Sequence, residues 1–264
     1  MVKSGLADKA YSIIQQQIFA FELFPGQVVS DYLLSKELGM SRTPIRQALQ
    51  RLHNDGLLEP LESGKTSYRV ADITAEEIQD LFDFREGIET TALRLAFQKT
   101  NPIPPQQVQA LEQIYKSMVD TNHDDRVTEH FVWDQKFHNS LVALSGNRRL
   151  IKAHDELLLQ LTRMRFLTFL KRSLQSKACN DHQELLQAIK QGDCERGTQV
   201  LIRHIRTSRD DYIALLKNDF SMNSMRALHF FVKDSGVLSH DELEQDVAVK
   251  KNNTPHISEK SNIF

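Results

Sequence analysis

Leu38-Gly39-Met40-Ser41-Arg42-Thr43-Pro44-Ile45-Arg46-Gln47-Ala48-Leu49-Gln50-Arg51-Leu52 is the stretch on which the fold turns. Gly39 ends one helix and Ser41 caps the next, with Pro44 in its first turn, where a missing N–H costs little. At about 100° per residue, Ile45, Ala48, Leu49 and Leu52 share one arc, while Arg42, Thr43, Arg46, Gln47 and Gln50 face away from it. Between Ser41 and Arg51 stand three arginines and no acid, in a chain whose formal net charge is −2. Cationic charge is concentrated on one short helix, where a DNA major groove could accept it.

The side chains suit that groove. Arginine grips guanine O6 and N7 with two N–H groups, glutamine pairs with an adenine edge, and Ser or Thr at a helix N-terminus holds phosphate. Working upstream, Tyr11, Ile14, Ile18 and Phe21 recur at helical spacing, which predicts a helix over 6–24 stopped by Pro25-Gly26. A second helix starts behind Ser30 or Asp31 and turns Leu33, Leu34 and Leu38 inward. Downstream, 57–61 and 66–70 read as two short strands around Glu62-Ser63-Gly64-Lys65, a small β-hairpin wing. Gly64-Lys65-Thr66 is no phosphate-binding P-loop, because position 59 is Glu and no helix follows.

The whole chain has 264 residues, room for two unequal domains. With 40% hydrophobic and 26% charged residues and no apolar run near the ~18 residues of a membrane span, membrane and fibrous classes are excluded. Ten Gly and seven Pro disfavour a turn-rich all-β design. Two cysteines, Cys179 and Cys194, make no disulfide framework, and the first residues lack the apolar core of a secretory signal, so a cytoplasmic location is expected. The expected architecture is mainly α: a winged helix-turn-helix over 6–71, an antiparallel all-helical bundle over 72–220, and a flexible tail over 221–264. The bundle's helices are predicted at about 75–99, 105–121, 124–145, 147–173, 178–191 and 193–218.

Inside that bundle, polar residues interrupt apolar stripes. Asp134 and His138 lie one turn apart among Phe131, Leu141 and Val142; His182 lies among Ala178, Leu185, Leu186 and Ile189; His204 lies with Leu201, Tyr212 and Leu215. An unpaired buried carboxylate costs several kcal/mol, so Asp134 needs a compensating charge or a metal. A lone inward His is usually a hydrogen-bonded core residue. Together, one carboxylate and three imidazoles form an N3O set that suits zinc, nickel, manganese or iron alike, rather than calcium, with zinc the metal expected. An anionic oxygen donor is the natural effector for a bound cation, and Arg85, Arg163 and Arg165 are the candidate arginines to reinforce it. His53, His123, His130, His154, His229, His240 and His256 read as surface or helix-end residues.

Residues 38–49, followed by Leu52 and Asp55-Gly56-Leu57-Leu58, resemble the winged helix-turn-helix of GntR-family bacterial transcription regulators. The resemblance implies that Arg42 and Arg46 contact bases or nearby phosphates, with Ser41 and Thr43 on the backbone and Gly64 at a wing tip near the minor groove. Gln47, Gln50, Arg51 and Lys65 complete the candidate DNA-binding set. Tyr32 stands where some members carry a DNA-reaching Arg, which leaves the operator sequence open. Asp134-x-x-Phe137-His138, Asp181-His182, Ala188-Ile189, Gly192-Asp193 and His204, with Arg85-x-x-x-Glu89, resemble the FadR-type (FCD) ligand-binding domain, in its six-helix, VanR-like form. That likeness implies metal ligands at Asp134, His138, His182 and His204 and a small carboxylic acid completing the metal's coordination.

The expectation is a repressor that binds double-stranded DNA as a homodimer on a palindromic operator, and no enzyme. One alternative is a metal-independent acyl-ligand sensor of the same family. Another is a helical metal-dependent hydrolase, suggested by His123-Asp124, His154-Asp155 and His240-Asp241, which would need a general base beside the metal.

Overall fold

The computed structural model describes residues 5–61, 67–122, 127–168 and 173–219. The expected wing tip at Gly64 and Lys65 and the expected tail from 221 onward lie outside them.

Helix α1 spans Leu6–Phe19, five residues short of the expected end. The Ala20 amide still bonds to Gln16 O, and those of Glu22 and Leu23 then fold back onto Gln17 O at 2.8 and 3.0 Å. Phe21 takes a left-handed φ of 56°, a region an aromatic residue rarely adopts. The reversal sends Phe21 into the core of the helical bundle, where it is 3% exposed. Its apolar spacing therefore reports burial against another part of the chain rather than continuation of α1.

A short strand β1, Val28–Ser30, precedes α2, Asp31–Leu38, and was not legible as a separate strand. Ser30 ends the strand and also caps α2, its Oγ accepting from the Leu33 amide at 3.3 Å. Gly39 closes α2 at φ 61°, and α3 follows over Arg42–Asn54 with Ser41 at its N-cap. Strands β2, Leu58–Pro60, and β3, Ser67–Val70, then complete an antiparallel sheet of order β1-β3-β2, with Val29 opposite Tyr68 and Glu59 opposite Arg69. Pro60 lies on an edge strand, where its missing N–H breaks no ladder. Ile14 and Ile18 of α1, Leu34 of α2, Ile45, Ala48, Leu49 and Leu52 of α3, and Leu57 and Val70 form this head's core. Each such large side chain contributes about 1.5–3 kcal/mol by leaving water.

Among the described residues six helices form the bundle: α4 Ala75–Lys99, α5 Pro105–Asp120, α6 Val127–Leu144, α7 Arg148–Thr168, α8 Ser173–Gln191 and α9 Cys194–Asp219. Thr74 caps α4, accepting from the Glu77 amide at 3.0 Å. Helix α8 starts five residues earlier than expected, and Ser176 is inside it. Serine costs a helix interior only a fraction of a kcal/mol, so the helix runs through it. Helix α4 lies against α6, α7 and α9, and α8 lies against α9. Phe82, Leu93, Phe137, Leu141, Leu185 and Leu201 fill the space between them. That packing brings α4, α6, α8 and α9 around one buried point. Among the described residues no helix is long and apolar enough to cross a membrane.

Candidate nucleic-acid interface and candidate metal centre

On α3, Ile45, Ala48, Leu49 and Leu52 are fully buried, while Ser41, Arg42, Thr43, Arg46, Gln47 and Gln50 are exposed. The division matches the helical-wheel expectation. Less visible from sequence is Asp31, the first residue of α2, whose side chain is 1% exposed. It accepts from Arg42 Nε at 3.1 Å, Arg42 Nη2 at 2.7 Å and Arg46 Nε at 2.5 Å. Burial alone would raise the Asp31 pKa, but the two guanidinium groups hold it below the ordinary aspartate value. The carboxylate is thus ionised, and it draws both arginine stems to one side of α3. About half of each arginine side chain still meets solvent, 48% for Arg42 and 53% for Arg46. Arg46 keeps both terminal nitrogens free of hydrogen bonds among the described residues.

Arg51 is placed differently. Its Nη1 donates to Asp8 Oδ1 at 2.7 Å and its guanidinium lies 4.3 Å over the Tyr11 ring, so it ties α3 to α1 rather than extending the outer face. Gln50 Oε1 accepts from Tyr68 OH at 3.3 Å, which links the reading helix to β3. Tyr32 stands exposed, with Lys36 Nζ 4.4 Å over its ring.

The second site lies inside the bundle. One possible ligand atom from each of Asp134, His138, His182 and His204 falls within 4.8 Å of all the others. His138 Nε2 and His182 Nε2 are 3.0 Å apart, and Asp134 Oδ1 is 3.3 Å from the latter and 3.8 Å from the former. Tetrahedral ligands about 2.0–2.1 Å from one ion stand roughly 3.4 Å apart, and adjacent octahedral ligands roughly 3.0 Å, and the separations among Asp134, His138 and His182 lie near those values, which is compatible with metal binding. The three imidazoles are 0–5% exposed.

Hydrogen bonding fixes the direction of the donors. Glu89 of α4, fully buried, accepts from Arg85 Nε at 2.7 Å and from His138 Nδ1 at 2.6 Å, and its Oε1 lies 3.1 Å from His154 Nε2. With Nδ1 donating to Glu89, the His138 Nε2 lone pair faces the cluster. It meets His182 Nε2 there, and two nitrogens so close need a proton or a cation between them. His182 Nδ1 is buried without a hydrogen-bond partner among the described residues. His204 Nδ1 lies 3.6 Å from Asp181 Oδ2. Burial, and then Arg85, lower the His138 pKa; burial, and then His204, push His182 further below the imidazole value. Burial would raise Asp134, but His138, His182 and Arg85 bring it down to about 2. His138 and His182, both held below the imidazole value, and an ionised Asp134 offer the unprotonated donors a divalent cation needs.

The candidate effector arginines divide. Arg85 is 7% exposed and borders the cluster, with its terminal nitrogens carrying no hydrogen bond among the described residues. Arg163 does not border it: Nη1 donates to Ala71 O at 3.1 Å and Nη2 pairs with Glu77, so its partners are the end of the head and the start of α4. The Arg165 side chain lies outside the described residues.

Two histidines read as surface residues are buried: His154, 1% exposed on Glu89, and His130, 5% exposed with Nδ1 3.0 Å from Met118 O. His123 lies outside the described residues. Sequence reasoning missed Asp31, Glu89 and His154 as organisers. The one signal for Glu89 was its i,i+4 spacing from Arg85 on an otherwise apolar face.

Comparison with known proteins gives a family to each half of the chain. Residues 6–64 match the bacterial regulatory proteins of the gntR family, and residues 80–207 match the FCD domain. The chain belongs to the GntR family, in its FCD-containing branch. A GntR/FCD protein of this kind is a transcriptional regulator. Among relatives, the Nta operon transcriptional regulator of Aminobacter aminovorans is 26% identical, over 75% of this chain and 90% of its own length. The transcriptional repressor GlaR of Escherichia coli K12 is 24% identical, over 75% and 91%. In fold, E. coli McbR/YncC superposes with a TM-score of 0.64 at 19% identity, covering 81% of this chain and 99% of that one. A GntR regulator from Rhodococcus sp. RHA1 gives 0.64 at 18%, covering 79% and 97%.

Proposed function

We propose that this GntR/FCD regulator is a homodimeric repressor whose bundle binds a divalent metal, zinc first, through Asp134, His138, His182 and His204, and through that metal a small carboxylic acid that releases the operator. The observation that carries it is the convergence of four donors, three of them buried imidazoles, within 4.8 Å. A bound cation supplies a positive centre with room for a carboxylate oxygen. Glu89 then holds His138 in the ligating tautomer, Arg85 offers its free nitrogens to the anion, and the surrounding apolar core excludes water. Release requires that the acid bind one arrangement of the chain better than another. At the DNA, Arg46 is the base reader, with Ser41, Arg42, Thr43, Gln47 and Gln50 on bases and phosphates, and Gly64 and Lys65 on the wing. Two copies are needed to place two α3 helices on a palindromic operator. Location in the cytoplasm accords with such a role.

Untagged protein analysed by inductively coupled plasma mass spectrometry is expected to carry about one divalent metal per chain, the stoichiometry of a single four-ligand site. His182→Ala is expected to lose it while operator binding in a gel shift persists. Metal-free wild type that still answers to acyl ligands would select the metal-independent sensor. Membership in a regulator family favours either reading over a hydrolase.

A further inference from the structure

The Arg163 contacts point to a role at the junction between head and bundle. Arg163 is 2% exposed, nearly at the C-terminal end of α7, and its guanidinium spans the junction between head and bundle. On one side it holds the Ala71 carbonyl, and the Ala71 amide in turn bonds to Leu57 O at 3.1 Å, directly behind the recognition helix. On the other side it pairs with Glu77 in the first turn of α4. Burial raises the Glu77 pKa and Arg163 opposes that rise, as expected of a half-enclosed pair.

One turn earlier on α7, Gln160 presses against Gly56. A Cβ on Gly56 would stand 3.0 Å from the Gln160 amide, and the Gly56 φ of 73° already disfavours any side chain. Gly56 belongs to the turn that leaves α3. Helix α1 also lies against α7, and Phe21, sent across by its left-handed backbone, is buried in the bundle core with Phe24 and Ile73 packed beside it. The head is therefore gripped at the exit of α3, at the end of β3 and behind α1. Three separated points fix an orientation, whereas one would leave a hinge.

We propose that α7 is the mount of the reading head: Arg163, with Gln160, is a positioning residue that fixes the angle of α3 on the bundle, so that the bundle dictates the separation of half-sites the dimer accepts. The proposal rests on the dimeric reading above. Arg163 acts through Ala71 and Glu77, and Gln160 through the turn at Gly56.

The test uses the full chain and a two-half-site operator selected by the wild type from random duplexes. Affinity is measured by fluorescence anisotropy as the half-sites are moved apart by about one to five base pairs, up to half a helical turn. The wild type is expected to lose about a hundredfold when both heads cannot engage at once. Arg163→Gln and Glu77→Gln, which cut the clamp from opposite sides, are expected to shrink that penalty to below about tenfold. Both variants should bind a duplex with one half-site as the wild type does and keep its zinc content, which shows that head and bundle remain folded. A simple stabilising pair would lower the melting temperature and leave the spacing profile unchanged. That profile in both folded variants overturns the proposal. A wild type indifferent to the presence of a second half-site overturns the dimeric reading, and this inference with it.

Discussion

The head and the bundle each organise their polar chemistry around one buried carboxylate, and they differ in which side of it meets water. Asp31 gathers Arg42 and Arg46, whose guanidinium groups remain half in solvent. Glu89 gathers Arg85, His138 and His154, none of which is more than 8% exposed. At the surface the cations are held but still available to a partner, and water covers any bond that fails. In the interior no water stands ready to replace a lost partner, so the loss of the shared carboxylate strands the groups bonded to it. The same chemical unit is therefore a tether in one region and a keystone in the other.

The same deletion of charge at both carboxylates should break or confirm that contrast. Glu89→Gln leaves Arg85 buried without its anion, and breaking a buried pair from one side costs about 3–5 kcal/mol. Asp31→Asn leaves arginines that water can solvate, and its cost in urea unfolding should be at most about 1 kcal/mol. Equal losses would mean that Asp31 is as much a keystone as Glu89.

A middle-sized effect concerns recognition. Arg46→Ala should cost about 1–3 kcal/mol of operator affinity, concentrated at one base position, because its free terminal nitrogens can fork a guanine. Arg42 spends its Nε and Nη2 edge on Asp31, so its replacement should weaken all duplexes alike and flatten the salt dependence. Anisotropy over a set of single-base operator variants separates the two patterns; a uniform loss for Arg46→Ala would remove it from base reading.

The contrast also explains what was legible in the sequence. The outer face of α3 was readable because exposure, charge and helical period all reside in one local stretch, 41–52. The cluster of Asp134, His138, His182 and His204 was readable because each residue breaks an apolar stripe. Phe21 was misread, and the partners of Arg163 were not foreseen, because they lie across the head–bundle junction, and periodicity reports that a side chain is inward without saying against what. His154 faced Glu89, 65 positions away, and nothing local distinguished it from a helix-surface histidine. Strand β1 was missed since three residues are too few to show alternation, and its pairing with β3 is a long-range event.

The smallest effect expected is a pH dependence, and the two regions should differ in its window. In the bundle, burial keeps His138 and His182 below the ordinary imidazole pKa, so both fold as neutral rings. An unfolded histidine titrates near 6.5. Above that value neither state binds the proton and the stability is whole; as pH falls below about 6.5 the unfolded chain takes up protons that the folded rings refuse, and stability drains away. In the head, Asp31 is the group held down, by Arg42 and Arg46 against the rise that burial would cause, so its contribution persists until the unfolded aspartate value near 3.9 is approached. Urea unfolding of chelator-treated protein should therefore lose stability between about pH 6.5 and 5, and His182→Gln should flatten part of that loss. Zinc-loaded protein should fall more steeply over the same interval, because protons there compete with the metal for the imidazoles. A metal-free wild type equally stable at both ends of the interval would show that the rings accept protons in the folded state, and the picture of a neutral, metal-ready cluster would have to be abandoned.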